Sequence, residues 1–143
     1  MNPPEKKCLP ASPEEWLVHA KSDLKLARLG KESKDVLPQQ ICFHAQQAVE
    51  KSFKAVLLLN KIDFPLTHDI EELIDIFEGS NISLPSEMLE AGILTPYAVE
   101  TRYPGYWDEI AKDDVNEAIT LAEKVILWAE GKINYGERVE ILK

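Results

Sequence analysis

The stretch from Cys42 to Leu59 constrains the fold more than any other part of the chain. Ile41, Cys42, Phe43, Ala45, Ala48, Val49, Phe53 and the run Ala55 to Leu59 point in almost every direction around a helix, leaving polar side chains only a narrow strip. A helix with so little polar surface belongs at the centre of a bundle, covered by other helices. Its expected start is Pro38, since proline suits a first helical turn, and its expected end is near Asn60.

The covering elements are legible as amphipathic helices. Ser12-Pro13-Glu14-Glu15 reads as a capping box with proline at the first position, and Leu17, Ala20, Leu24 and Ala27 follow at helical spacing, with Gly30 as the expected stop. Either Thr67 or Asp69 can cap a third helix carrying Ile70, Leu73, Ile74 and Phe77, closed by Gly79. A fourth helical segment is expected from Pro85 toward Tyr97 and Val99, weakened inside by Gly92 and Pro96. Thr101 to Trp107 reads as an aromatic loop packed on the bundle. A last helix begins at a cap supplied by Asp113 or Asp114, carries Val115, Ala118, Ile119, Ala122, Val125, Ile126 and Ala129, and is closed by Gly131. No alternating strand pattern or internal repeat occurs, so the fold expected is all-α, an antiparallel, up-and-down bundle of four to five helices over residues 12–131. Residues 1–11 read as a flexible tail and 132–143 as a C-terminal extension.

Charge and composition narrow the function classes. The 143 residues include 16 basic and 25 acidic ones, a net charge of -9 that disfavours general attraction to a phosphate backbone, so any nucleic-acid contact must be local. The apolar runs are too short for a membrane span. Met1 to Pro10 has no apolar stretch of the kind a secretory signal needs, which makes the cytoplasm the expected location, with Cys8 and Cys42 as reduced thiols. His-Glu-x-x-His, Cys-x-x-Cys, Glu-x-x-His pairs, phosphate loops and dinucleotide fingerprints are all missing from the sequence, so neither a metal nor a cofactor is expected.

The segment Cys42-Phe43-His44-Ala45-Gln46-Gln47-Ala48-Val49-Glu50-Lys51-Ser52-Phe53-Lys54-Ala55-Val56-Leu57 resembles the central-helix signature of HEPN domains. Other family elements match in the same order: Ala-x-x-Asp-Leu at Ala20 to Leu24, Thr-His-Asp at Thr67 to Asp69 and Thr-Arg-Tyr-Pro at Thr101 to Pro104. The resemblance implies an α-helical, usually dimeric domain, often paired with a minimal nucleotidyltransferase in prokaryotic toxin–antitoxin or defence modules. Many members that cleave RNA without a metal carry an Arg-x4-6-His motif. Here the arginines are Arg28, Arg102 and Arg138 and the histidines His19, His44 and His68, and no pair has that spacing.

The candidate ligand-binding residues are therefore His44, Gln47, Lys51 and Lys54, which share one helical face, together with Arg102 and Tyr103 on the aromatic loop. The stripe reads either as a phosphate- or base-binding face or as the solvated edge of a buried helix in which Glu50 and Lys54 pair. Arg102 either contacts a ligand or pairs with Glu100 or Asp108. His68 and Asp69 read as capping residues rather than a catalytic pair. The expected function is a nucleotide- or RNA-binding HEPN protein, homodimeric, not catalytic on its own and acting with a minimal nucleotidyltransferase. The alternatives are a helical dimerisation or docking module without a ligand, and a diverged endoribonuclease.

Overall fold

The computed structural model describes residues 11–99 and 109–141, and every described element is helical. Helix α1 spans Pro13–Glu32, α2 Pro38–Leu59, α3 Ile70–Gly79, a 3-10 segment Ser86–Leu94, α4 Pro96–Val99 and α5 Lys112–Ile141. Ser12 caps α1 as expected: its hydroxyl accepts from the Glu15 backbone N–H at 3.1 Å and donates to the Glu15 carboxylate at 3.3 Å. Asp69, not Thr67, caps α3 by accepting from Glu71 N–H at 2.9 Å. Both α2 and α3 end in Schellman turns, with Ile62 N–H bonded to Leu57 C=O and Ile82 N–H to Phe77 C=O. The left-handed residues in these turns are Lys61 and Asn81, so neither turn uses glycine.

The helices α1, α2 and α5 form the body of the bundle. Helix α1 runs antiparallel to α2, as Gly30 lies against Ile41 while Asp23 reaches Lys51 farther along. A Cβ added at Gly30 would stand 3.0 Å from Ile41 and from Val36, so glycine here permits close approach of α1 to the start of α2. Helix α1 is also antiparallel to α5, with Arg28 paired to Glu123 and Lys21 to Glu130. By Tyr97 the chain has returned to Cys42 at the start of α2, so α5 sets out parallel to α2. The core is mainly apolar, with Gln46, Glu50, Ser52 and Lys54 of α2 as buried polar exceptions. Phe53, Phe77 and Trp128 pack edge to face with centroids 5.5–6.0 Å apart, and Val49, Val56, Leu57, Ile70, Leu73 and Val125 are fully buried. The expectation that α2 is the buried spine holds, because it alone packs against α1, α3, α4, the 3-10 segment and α5.

Several boundaries differ from the sequence expectations. Helix α1 continues two residues past Gly30. Helix α5 passes straight through Gly131, because Ile133 extends the buried stripe of Ile126 and Ala129 and packing outweighs the glycine penalty of about 1 kcal/mol. Residues 132 to 141 therefore continue α5. Asp113 and Asp114 lie inside its first turn rather than at the cap, and the Asp114 carboxylate reaches back to accept from Ala111 N–H at 3.0 Å. Beyond Pro85 the chain forms a 3-10 segment, and the four-residue α4 follows only after Thr95. The expected tail, Cys8 and the Thr101 to Trp107 loop lie outside the described residues. Among the described residues no helix is long and apolar enough to cross a membrane.

Candidate functional site

The polar strip of α2 is not a solvated edge. It divides into two clusters, each built around one carboxylate. In the first, Asp23 projects from α1 toward α2, where its Oδ2 accepts from Lys51 Nζ at 2.6 Å and its Oδ1 lies 3.0 Å from His44 Nδ1. Side-chain exposure is 11% for Asp23, 23% for Lys51 and 30% for His44, so the carboxylate is largely withdrawn from water while both partners keep a face toward it. The helical pitch explains the meeting: His44 and Lys51 lie two turns apart on α2, and Asp23 bridges the gap from the neighbouring helix.

In the second cluster Glu50 and Lys54 are 3% and 6% exposed and pair at 3.1 Å. Glu50 also accepts from Gln46 Nε2 at 3.2 Å and lies 2.9 Å from His68 Nδ1. Lys54 donates to Thr67 C=O at 2.9 Å and Gln46 donates to His68 C=O at 3.1 Å, so α2 side chains hold the backbone just before α3. Trp16 and Phe64 close over Lys54, each ring centroid 5.7 Å from Nζ. Every buried polar atom of this cluster has a partner, as low-dielectric surroundings require.

Gln47 lies between His44 and Lys51 along α2 and donates to Gln46 Oε1 of the second cluster at 2.7 Å. The structure thus brings His44, Gln47 and Lys51 onto one face of α2, with His44 and Lys51 meeting Asp23 of α1, and places Lys54 within the second cluster. Arg102 and Tyr103 lie outside the described residues. Asp23 and Gln46 are not among the residues expected at the site, whereas the expected Glu50–Lys54 pair forms, buried rather than solvated. Asp23 belongs to the Ala20 to Leu24 element that carried part of the family resemblance, and that was the signal available. His68 faces Glu50 instead of capping α3.

Elsewhere, Cys42 is fully buried and takes a hydrogen bond from the Tyr97 hydroxyl. Burial pushes the thiol up to about 11 against the acid-strengthening effect of that bond, and burial together with the adjacent thiol pushes the Tyr97 hydroxyl up to about 12. Such a thiol is a poor nucleophile near neutral pH. No group of three or more His, Cys, Asp or Glu side chains among the described residues is arranged to hold a metal ion.

The helical order, the buried α2 spine and the Asp23 cluster together define the class, and the HEPN domain model matches residues 13–132. The chain belongs to the HEPN domain family. It is similar in structure to ST0689, an archaeal HEPN homologue, with a TM-score of 0.69 and 27% identity over 87% of this chain and 99% of the other. It is also similar to TT1696 from Thermus thermophilus, with a TM-score of 0.72 and 27% identity over 84% of this chain and 97% of that one. No curated protein matches the sequence.

Proposed function

We propose that this HEPN domain binds the phosphate of a nucleotide or RNA end in the α1–α2 groove, is not catalytic on its own, and works as a homodimer with a separate minimal nucleotidyltransferase in a cytoplasmic toxin–antitoxin or defence-like module. One observation carries the binding reading. Lys51 and His44 are held in place by Asp23 yet keep open faces toward the groove, with Gln47 between them along α2. An ammonium and an imidazole fixed in this way can donate charge-assisted hydrogen bonds to phosphate oxygens without first being ordered. The contact is local, which suits a chain whose overall charge repels polyanions. The lack of an Arg-x4-6-His pair supports the non-catalytic part, and the nucleotidyltransferase partner rests on family membership.

Titration of the protein with labelled ATP, GTP and short RNA is expected to saturate. Lys51→Met should weaken binding roughly tenfold or more, the worth of one charge-assisted hydrogen bond. Flat titrations would reject the ligand and favour the second reading, a dimerisation or docking module. That reading has its own support, since Val18, Leu26 and Leu29 lie exposed on the face of α1 turned away from the core. Light scattering should give twice 16.2 kDa for a homodimer, and a monomer mass at micromolar concentration would reject it.

A further inference from the structure

We propose that the groove contains a separate subsite for the base of the bound nucleotide, an aromatic heterocycle, in the cavity bounded by Trp16, His19 and Lys51. The proposal rests on the phosphate reading above and adds to it the recognition of a base. The cavity holds about 200 Å³ and is walled by those three residues and Ala11. Lys51 is shared between the cavity and the Asp23 cluster, so the two are continuous. A ligand anchored at Lys51 through its phosphate therefore has this cavity directly beside it.

The cavity fits one part of a ligand and not the whole. Drug-sized ligands occupy roughly 300–1,000 Å³, so a smaller space admits a single ring system and leaves the sugar and phosphate along the groove. Helix α1 sets Trp16, His19 and Asp23 at spacings of three and four, on the side of the helix that faces α2. Trp16 is fixed in orientation before anything binds. It meets Phe64 edge to face, with centroids 6.3 Å apart and planes at 76°, and Lys54 Nζ lies 5.7 Å from its ring centroid. Trp16 is only partly buried and lines the cavity, so part of its ring is open to it. His19 is exposed, with no hydrogen bond or ion pair to any described residue. Both features suit a stacking wall. Stacking also works whatever the sign of the protein's charge, which gives an acidic chain a source of affinity that lysines alone do not supply.

Calorimetric titration with AMP, GMP and ribose 5-phosphate tests the subsite, because ribose 5-phosphate keeps the phosphate and sugar and lacks the base. Both nucleotides should bind about tenfold or more tighter than ribose 5-phosphate. Trp16→Leu should abolish that difference and leave the affinity for ribose 5-phosphate unchanged, whereas Trp16→Phe should retain most of it. His19→Ala, at an exposed position, should reduce it partially. Should Trp16→Leu fail to fold, the indole N–H resonance of Trp16 in the wild type decides the matter: it should shift with AMP and not with ribose 5-phosphate. Equal affinities for AMP and ribose 5-phosphate would overturn the base subsite and leave the phosphate reading standing. Absence of saturation with all three would overturn both.

Discussion

Two clusters in this molecule have the same membership, a carboxylate, a lysine and a histidine, and differ most at the lysine, which is 6% exposed beside Glu50 and 23% exposed beside Asp23, while both histidines reach water. Around Glu50 the carboxylate and the ammonium are both closed off, and the remaining donors go to Thr67 and His68 carbonyls. Around Asp23 the carboxylate is similarly shielded, but Lys51 and His44 keep water-facing surface. The difference shows what one composition can do on one helix. Where the spare hydrogen bonds are spent on backbone, the cluster fastens the α2–α3 connection. Where they face the groove, the lysine and histidine stay open to water.

The strongest way to break this comparison is to remove Glu50. Glu50→Gln leaves Lys54 charged, buried and without its carboxylate, and breaking one side of a buried pair costs about 3–5 kcal/mol. Urea unfolding should show that loss, and Glu50→Met with Lys54→Met should recover most of it, since apolar replacement of both partners is often neutral. A cost below about 1 kcal/mol for Glu50→Gln would mean that water reaches Lys54 and that the two clusters do not differ as described.

Cys42 and Tyr97 sharpen the comparison from a third position, a buried polar contact in which neither partner is a cation. The folded thiol ionises at about 11, above the value near 9 expected of an exposed one. Between those values the unfolded chain gives up a proton that the folded chain keeps, so the stabilisation is complete below about pH 9 and is lost as pH rises toward 11. The full loss amounts to roughly 2–3 kcal/mol at about 1.4 kcal/mol per pH unit. Urea midpoints should be flat between pH 7 and 8.5 and decline above pH 9, and Cys42→Ala should flatten the onset of that decline. Tyr97 adds its share at still higher pH.

Asp23→Asn is expected to act more gently, because Lys51 and His44 can turn to water once the carboxylate charge is gone. The expected loss is about 1–2 kcal/mol, near the value of a hydrogen bond to a charged group. Under the proposed function the same substitution lowers affinity for a phosphate, since Lys51 and His44 are no longer held toward the groove. Glu50→Gln should leave that affinity nearly unchanged in protein that remains folded. A parallel change in both variants would erase the functional distinction between the clusters.

The sequence made these elements legible to unequal degrees, and the dividing line is the distance over which each signal acts. Ser12, Pro38 and Asp69 mark helix starts through contacts within a turn, so α1, α2 and α3 could be placed from local rules. Gly131 misled because the burial of Ile133, a tertiary effect, carries α5 through it. Lys54 shares a stripe with His44 and Lys51, and only the fold brings Trp16 and Phe64 over it. Asp23 reads as one more polar residue on α1 until the α1–α2 register sets it between two turns of the neighbouring helix. The fold class followed from periodicity, whereas the division of the polar strip into two clusters depended on contacts between residues distant in sequence.

The smallest expected effect is also the cleanest control, because it holds distance constant. Lys21 and Glu130 join α1 to α5 at 2.6 Å, the separation also found for Lys51 and Asp23. Their side chains are 49% and 36% exposed, against 23% and 11% for the groove pair. At equal separation, screening by water and salt should leave the outer pair a coupling of no more than about 0.5 kcal/mol, vanishing in high salt. Double-mutant cycles pairing Lys21→Met with Glu130→Gln, and Lys51→Met with Asp23→Asn, measure the two couplings directly. The groove pair should exceed the outer pair by about 1 kcal/mol or more and should resist salt. If the couplings are equal, burial is not what separates these ion pairs, and the contrast between the Asp23 and Glu50 clusters loses its physical basis.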